Sequence, residues 1–252
     1  MSSMTSPACC NMPPVEVDYK SKGRTEKILD DMNAYVTGPE TSEKVIVGIY
    51  DVFGCWSTTE QGADILAQLT GMKVVLPDFF RGEPLPNDSF PMDTPEKQQI
   101  VNNFLGTKGN PMTVKGDLMQ VSQKLKANGA KSIGVYGLCW GSKPATLACS
   151  EKETPFAAIA QLHPSLLDAK DASALQVPMA SLTSKDEPEE LMKDFYANLK
   201  ANSAIASRCI DHHYPDIPHG FAGSRANLKD QANLEAYKDA YQRTAKFFVD
   251  VL

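Results

Sequence analysis

Three residues of this 252-residue chain can together perform acyl transfer: Cys139, Asp186 and His219. Each follows a short apolar run, and each supplies what the other two cannot. A thiolate attacks a carbonyl carbon, an imidazole moves the protons, and a carboxylate fixes the imidazole tautomer and stabilises its cationic form. The cysteine is central in Gly137-Leu-Cys-Trp-Gly141, between the apolar run 131–136 and a segment from Ser142 that predicts a helix with Pro144 in its first turn. Flanking glycines clear space for a sharp strand-to-helix corner of the Gly-x-Ser-x-Gly kind, with sulfur in place of the hydroxyl. The free amide hydrogens of the following helix favour thiolate over thiol. Taken alone, Cys139 also fits an ordinary buried cysteine.

The elements that must position these residues alternate in type. Lys44–Tyr50 is β-branched and nearly continuous in apolar character, as an interior parallel strand requires. A helix is expected from Thr58 or Thr59, with Ala63, Ile65, Leu66 and Leu69 inward and Gly71 as its stop. Strands follow at 72–76, 131–136, 155–162, 177–183 and 207–211, and an early edge strand at 27–36. Helices are expected at 94–104, 113–128, 189–200 and 233–248. This succession predicts one α/β domain over 25–252, built on a single doubly wound, mostly parallel sheet with helices on both faces. Residues 1–24, polar and Pro/Ser-rich, read as a flexible arm. Ligands in such folds bind at the C-terminal edge of the sheet. Loops there carry Asp51-Val-Phe-Gly54, Arg81, His163-Pro-Ser165, Asp186 and His219. The backbone amides of Val52 and Trp140 are the expected oxyanion donors. Phe53, Trp140 and His163 are expected to wall the pocket.

Composition excludes several alternatives. The net charge of −6 and the absence of a basic run argue against nucleic acid and anionic membrane. No stretch is long and apolar enough for a bilayer, and the opening residues do not read as a secretory signal. Six cysteines without Cys-x-x-Cys spacing suit a reducing, cytoplasmic setting, with Cys9 and Cys10 as exposed tail thiols. No Gly-x-Gly-x-x-Gly follows a strand, so no nucleotide cofactor is expected. His212 and His213 lie beside Asp211 and Asp216 without a ligand set, so no metal site is expected and they read as solvated loop residues.

Five segments together resemble the dienelactone hydrolase family, most closely its fungal and other eukaryotic members. They are Asp51-Val-Phe-Gly54, Pro77-Asp-Phe-Phe-Arg-Gly82, Gly137-Leu-Cys-Trp-Gly141, Ser184-Lys-Asp186 and Pro218-His-Gly-Phe221. The resemblance implies the α/β-hydrolase fold, in which nucleophile, acid and base follow in that chain order. It also implies a Cys139-His219-Asp186 triad. Asp51 takes the place of an acid that gates the resting thiol, one methylene shorter than the glutamate of bacterial members. Arg81 would grip a substrate carboxylate. Gly223 stands near the position of a second substrate arginine, which leaves Arg225 as its candidate replacement. The reading is a hydrolase of small lactones or carboxylic esters, with or without a carboxylate, acting as monomer or homodimer. Alternatives on the same fold are a redox, electrophile-trapping, acyl-transferring or cyclase thiol protein, or a non-catalytic binding protein.

Overall fold

The computed structural model describes residues 19–252. Two strands, β1 (Arg24–Leu29) and β2 (Met32–Thr37), form an antiparallel hairpin, where the sequence suggested one edge strand. The Asp30-Asp31 pair turns the chain between them. Then come β3 (Lys44–Ile49), α1 (Ser57–Thr70), β4 (Lys73–Pro77), α2 (Pro95–Gly106) and α3 (Pro111–Ala127). The corner is made by β5 (Ser132–Leu138) and α4 (Ser142–Cys149). After it follow β6 (Ala158–Leu162), a short α5 (Asp171–Ala174), β7 (Met179–Thr183), α6 (Glu189–Ala201), β8 (Ile210–His213) and α7 (Gln231–Val251).

The eight strands form one sheet in the order β1-β2-β4-β3-β5-β6-β7-β8. β2 pairs antiparallel with β1 and β4, and every other pairing is parallel. Period-2 alternation sorts the strand residues between two cores. Val45, Val47, Ile49, Ile133, Val135 and Ile159 face the core shared with α2, α3, α4 and α6. Ile46, Val74, Leu76, Tyr136, Leu138 and Leu162 face the core under α1 and α7. Cover on both faces is why these strands read as unbroken apolar runs. This is the α/β-hydrolase arrangement.

Local signals hold at the helix ends. Gly71, at φ 67°, closes α1 with its amide on the Ala67 carbonyl, and Thr94 caps α2 by accepting from the Lys97 amide. Leu69, expected inward, is exposed instead; Ala67 takes the buried position. Residues 207–209 precede β8 rather than forming it, so His212 and His213 lie on the edge strand and not in a loop. Part of the expected arm is anchored: the Tyr19 hydroxyl and the Lys22 amide both donate to Asp64 of α1. Cys9 and Cys10 lie outside the described residues. Among the described residues no helix is long and apolar enough to cross a membrane.

Candidate active site

Strand β5 delivers Cys139 to the C-terminal edge of the sheet in a left-handed conformation, φ 53°. For a residue with a side chain this costs about 1–3 kcal/mol, which surrounding structure must offset. The two glycines make the corner possible. A Cβ on Gly137 would fall 2.4 Å from the Gly141 carbonyl oxygen, and one on Gly141 would fall 2.4 Å from that of Ile49. The Ser142 hydroxyl donates to the Gly137 carbonyl at 3.0 Å and ties the corner to α4. The sulfur lies 3.6 Å from the Ser165 hydroxyl, and the Ser165 amide donates to the Cys139 carbonyl at 3.1 Å.

The loop after β8 brings His219 to the same point, fully enclosed. Its Nδ1 lies 2.7 Å from Oε1 of Glu187, an equally enclosed carboxylate. Asp186, the acid expected from the sequence, is one residue away and does something else. Its Oδ2 accepts the backbone amide of His219 at 2.7 Å, so it holds the loop and not the ring. Side chains of adjacent residues in a turn diverge, and here the second one points inward. Ser184 fixes Glu187 in place, its hydroxyl donating to Oε1 at 2.9 Å and its amide to Oε2.

Burial alone would lower the His219 pKa. Charge and hydrogen bonding from Cys139, reinforced by Glu187, outweigh it and raise the imidazole to about 9. With Nδ1 facing Glu187, Nε2 is the nitrogen left for the sulfur. The contrast with His163 is instructive. This ring is also fully buried, edge-on to His219 with centroids 4.9 Å apart, and neither of its nitrogens has a hydrogen-bond partner. Burial, and then the positive charges of His219 and Arg225, hold its pKa well below the ordinary histidine value, so it is neutral. It packs edge-on against His219 and Phe221 and, contrary to expectation, is not among the residues that wall the cavity at Cys139.

Asp51 is buried with both oxygens occupied. Oδ1 accepts the Phe53 amide at 3.0 Å, and Oδ2 accepts the amide and hydroxyl of Ser224 at 2.9 and 2.6 Å. It therefore links the turn that carries Val52 to the loop that carries His219. A Cβ at Gly223 would come within 2.7 Å of that Oδ2, so no larger residue fits there without displacing the carboxylate.

Neither arginine is among the residues that wall the cavity at the sulfur. Arg81 donates through Nε to Asp31 at 2.8 Å and through Nη1 to Asp117 at 2.6 Å and the Phe79 carbonyl at 3.1 Å. Arg225 is buried, its guanidinium 5.8 Å from the centre of the Phe53 ring. Phe53 packs in turn against Phe90.

The cavity at Cys139 is small, about 20 Å³. Val52, Leu85, Phe90, Val101, Phe104, Leu105, Trp140, Ser165 and Leu166 complete its wall. Val52 and Trp140 are among these wall residues, and the indole NH of Trp140 donates to the Gly109 carbonyl at 2.8 Å. The apolar wall was not foreseen. Buried and partly buried residues on α2 and in irregular loops carry no periodic signal that separates pocket from core. Glu187 was missed for a simpler reason: in a Ser-Lys-Asp-Glu run, composition does not say which acid turns inward. Among the described residues, no group of three or more His, Cys, Asp or Glu side chains is placed to hold a metal ion.

The family model described as the dienelactone hydrolase family matches residues 32–252. The chain belongs to this family. It is thereby a hydrolase of the esterase and lactonase type within the α/β-hydrolase superfamily. An uncharacterized AIM2 family protein of Schizosaccharomyces pombe is 33% identical over 236 residues, 93% of each chain. Among solved structures, a putative dienelactone hydrolase from Klebsiella pneumoniae superposes with a TM-score of 0.68 at 21% identity, covering 86% of this chain and 92% of its own. A dienelactone hydrolase-like promiscuous phosphotriesterase from metagenomic libraries gives 0.59 at 17% identity, covering 92% and 98%. At such identities the likeness is one of fold.

Proposed function

We propose that this family member hydrolyses small carboxylic esters or lactones through a thioester on Cys139, with His219 as proton carrier and Glu187 as its orienting carboxylate. The observation that carries the reading is the position of one enclosed imidazole, bonded to Glu187 on Nδ1 and to the Cys139 thiol on its other side, with a pKa raised to about 9. A raised imidazole pKa beside a thiol is the signature of a thiolate–imidazolium pair, which keeps the nucleophile ionised at neutral pH.

In the first step Sγ adds to the substrate carbonyl carbon, and the carbonyl π electrons move to oxygen. The amides of Val52 and Trp140 are the donors for that oxyanion. Collapse breaks the ester C–O bond, and the leaving oxygen takes its proton from His219. Water then gives a proton to the neutral imidazole and adds to the thioester carbon. Collapse of the second adduct expels the thiolate and releases the acid, and His219 is again the cation. Glu187 accepts from Nδ1–H and so fixes the tautomer that leaves Nε2 to the sulfur.

The test is turnover of p-nitrophenyl acetate, together with intact mass after rapid quenching. The native chain is expected to turn over and to carry one acetyl group on Cys139. Cys139→Ala should lose both while melting within a few degrees of the native protein. Near-native turnover by Cys139→Ala would end the proposal.

A further inference from the structure

Taking the thiol hydrolase reading as its basis, we infer that the acyl side of this site selects neutral, apolar acyl groups, and that Arg81 is a structural latch with no part in holding a substrate carboxylate. Eight of the nine residues that wall the cavity with Cys139 are apolar, and the ninth, Ser165, is uncharged. No lysine or arginine is among them. Arg81, Lys97, Lys108 and Lys143, on the surrounding elements, are each held by a carboxylate. Arg81 joins Asp31, on the turn of the hairpin, to Asp117 on α3. Lys97 of α2 pairs with Asp93 at 3.0 Å, Lys108 pairs with Glu83, and Lys143 of α4 pairs with Asp171 at 2.6 Å. Hydrogen bonds from Asp117 and Asp31 raise the Arg81 pKa further, so the latch stays charged and closed.

Releasing Arg81 to a substrate would leave Asp117, itself largely buried, without its cation. A second aromatic layer stands between the two places. Phe80, next to Arg81, packs edge-on against Phe104 and tilted against Trp140, with centroids 4.9 and 5.0 Å away, and both of those residues line the cavity. A carboxylate brought into the cavity would therefore lose its water and meet no lysine or arginine, while the His219 cation is already shared between Glu187 and Cys139. An apolar chain would instead bury its methylenes against Val101, Phe104 and Leu105 of α2. Each buried methylene is worth about fourfold in affinity. An unpaired carboxylate is penalised by at least about 100-fold.

At about 20 Å³ the cavity holds about one water, so an acyl chain enters only as wall residues give way. Leu105 is the wall residue chosen for trimming because it is only partly buried at the end of α2. The experiment compares p-nitrophenyl hexanoate with the p-nitrophenyl monoester of adipate, equal in chain length and differing in one terminal carboxylate. The neutral ester should show kcat/KM at least about 100-fold higher. Leu105→Ala should raise the hexanoate-to-acetate ratio several-fold, and Arg81→Gln should lower the melting temperature while leaving the hexanoate-to-adipate ratio within twofold. Equal or better turnover of the adipate ester, or its selective loss in Arg81→Gln by tenfold or more, would overturn the inference. Binding is read separately from turnover by the protection that hexanamide and adipamic acid give Cys139 against iodoacetamide. Protection by hexanamide alone, in a protein that turns over neither ester, would sink the hydrolase reading and sustain this one. Stronger protection by adipamic acid would sink this one.

Discussion

Two adjacent carboxylates with different tasks permit a sharp experiment. Glu187→Gln removes the charge facing Nδ1 of His219, and Asp186→Asn removes the charge facing the same residue's backbone amide. The magnitude at stake follows from the two buried imidazoles. His163 has no anionic partner and lies well below the ordinary histidine pKa of about 6.5, whereas His219 is raised to about 9. That difference of about 2.5 units from the ordinary value is on the order of 3 kcal/mol of preference for the cation, gained against the cost of burial. Cys139 provides the larger share and Glu187 the smaller. Glutamine also cannot satisfy all three donors that Glu187 now accepts, since its amide would oppose either Nδ1–H or the Ser184 amide. Glu187→Gln should therefore lower kcat/KM for p-nitrophenyl acetate on the order of 10³-fold, mostly in kcat, and lower the alkaline limb of the pH profile by about one unit. Asp186→Asn forfeits part of one charge-assisted bond, about 1.5–3 kcal/mol. It should cost about 3–10 °C in melting temperature and less than tenfold in kcat/KM. The reverse pattern, a thousandfold loss in Asp186→Asn with Glu187→Gln nearly unaffected, would refute the assignment and make Asp186 the orienting acid.

Two further outcomes follow from the same geometry. The folded pKa of His219 is raised, so the stability it contributes is complete below about pH 6.5 and is lost as pH rises through about 9. In the pair with Cys139 that loss is offset, because the unfolded thiol holds up to about pH 8.5 the proton that the folded thiolate lacks, so kcat/KM and the ring titration report the pair more directly. kcat/KM should decline on the alkaline side with an apparent pKa near 9, and the His219 ring followed by NMR should titrate lower in Cys139→Ala. Equal midpoints in both proteins would count against the thiolate–imidazolium pair. For Asp51→Asn, an amide placed against the Ser224 amide or the Phe53 amide leaves a buried donor unmatched, at about 1–3 kcal/mol. Turnover and melting temperature should both drop while the rate of Cys139 alkylation by iodoacetamide stays unchanged. Faster alkylation would restore Asp51 as a gate on the thiol.

The sequence by itself determined the sheet, the corner and the chain order of the candidate site residues. Apolar runs of β-branched residues between amphipathic segments admit few arrangements besides a doubly covered parallel sheet, and Gly137 and Gly141 permit a left-handed Cys139 that larger neighbours would exclude. The hairpin at 24–37 was half hidden because two short polar-edged strands around Asp30-Asp31 blur into one irregular alternation. What only the tertiary structure decided was direction. Whether Asp186 or Glu187 meets the imidazole depends on the torsions of a single turn, pinned by Ser184. Whether Arg81 faces a substrate depends on Asp31 and Asp117, 50 and 36 residues away, whose carboxylates claim the guanidinium. A motif records which groups are present near the sheet edge. The partners that commit each group come from distant segments, and folding alone brings them within hydrogen-bonding range.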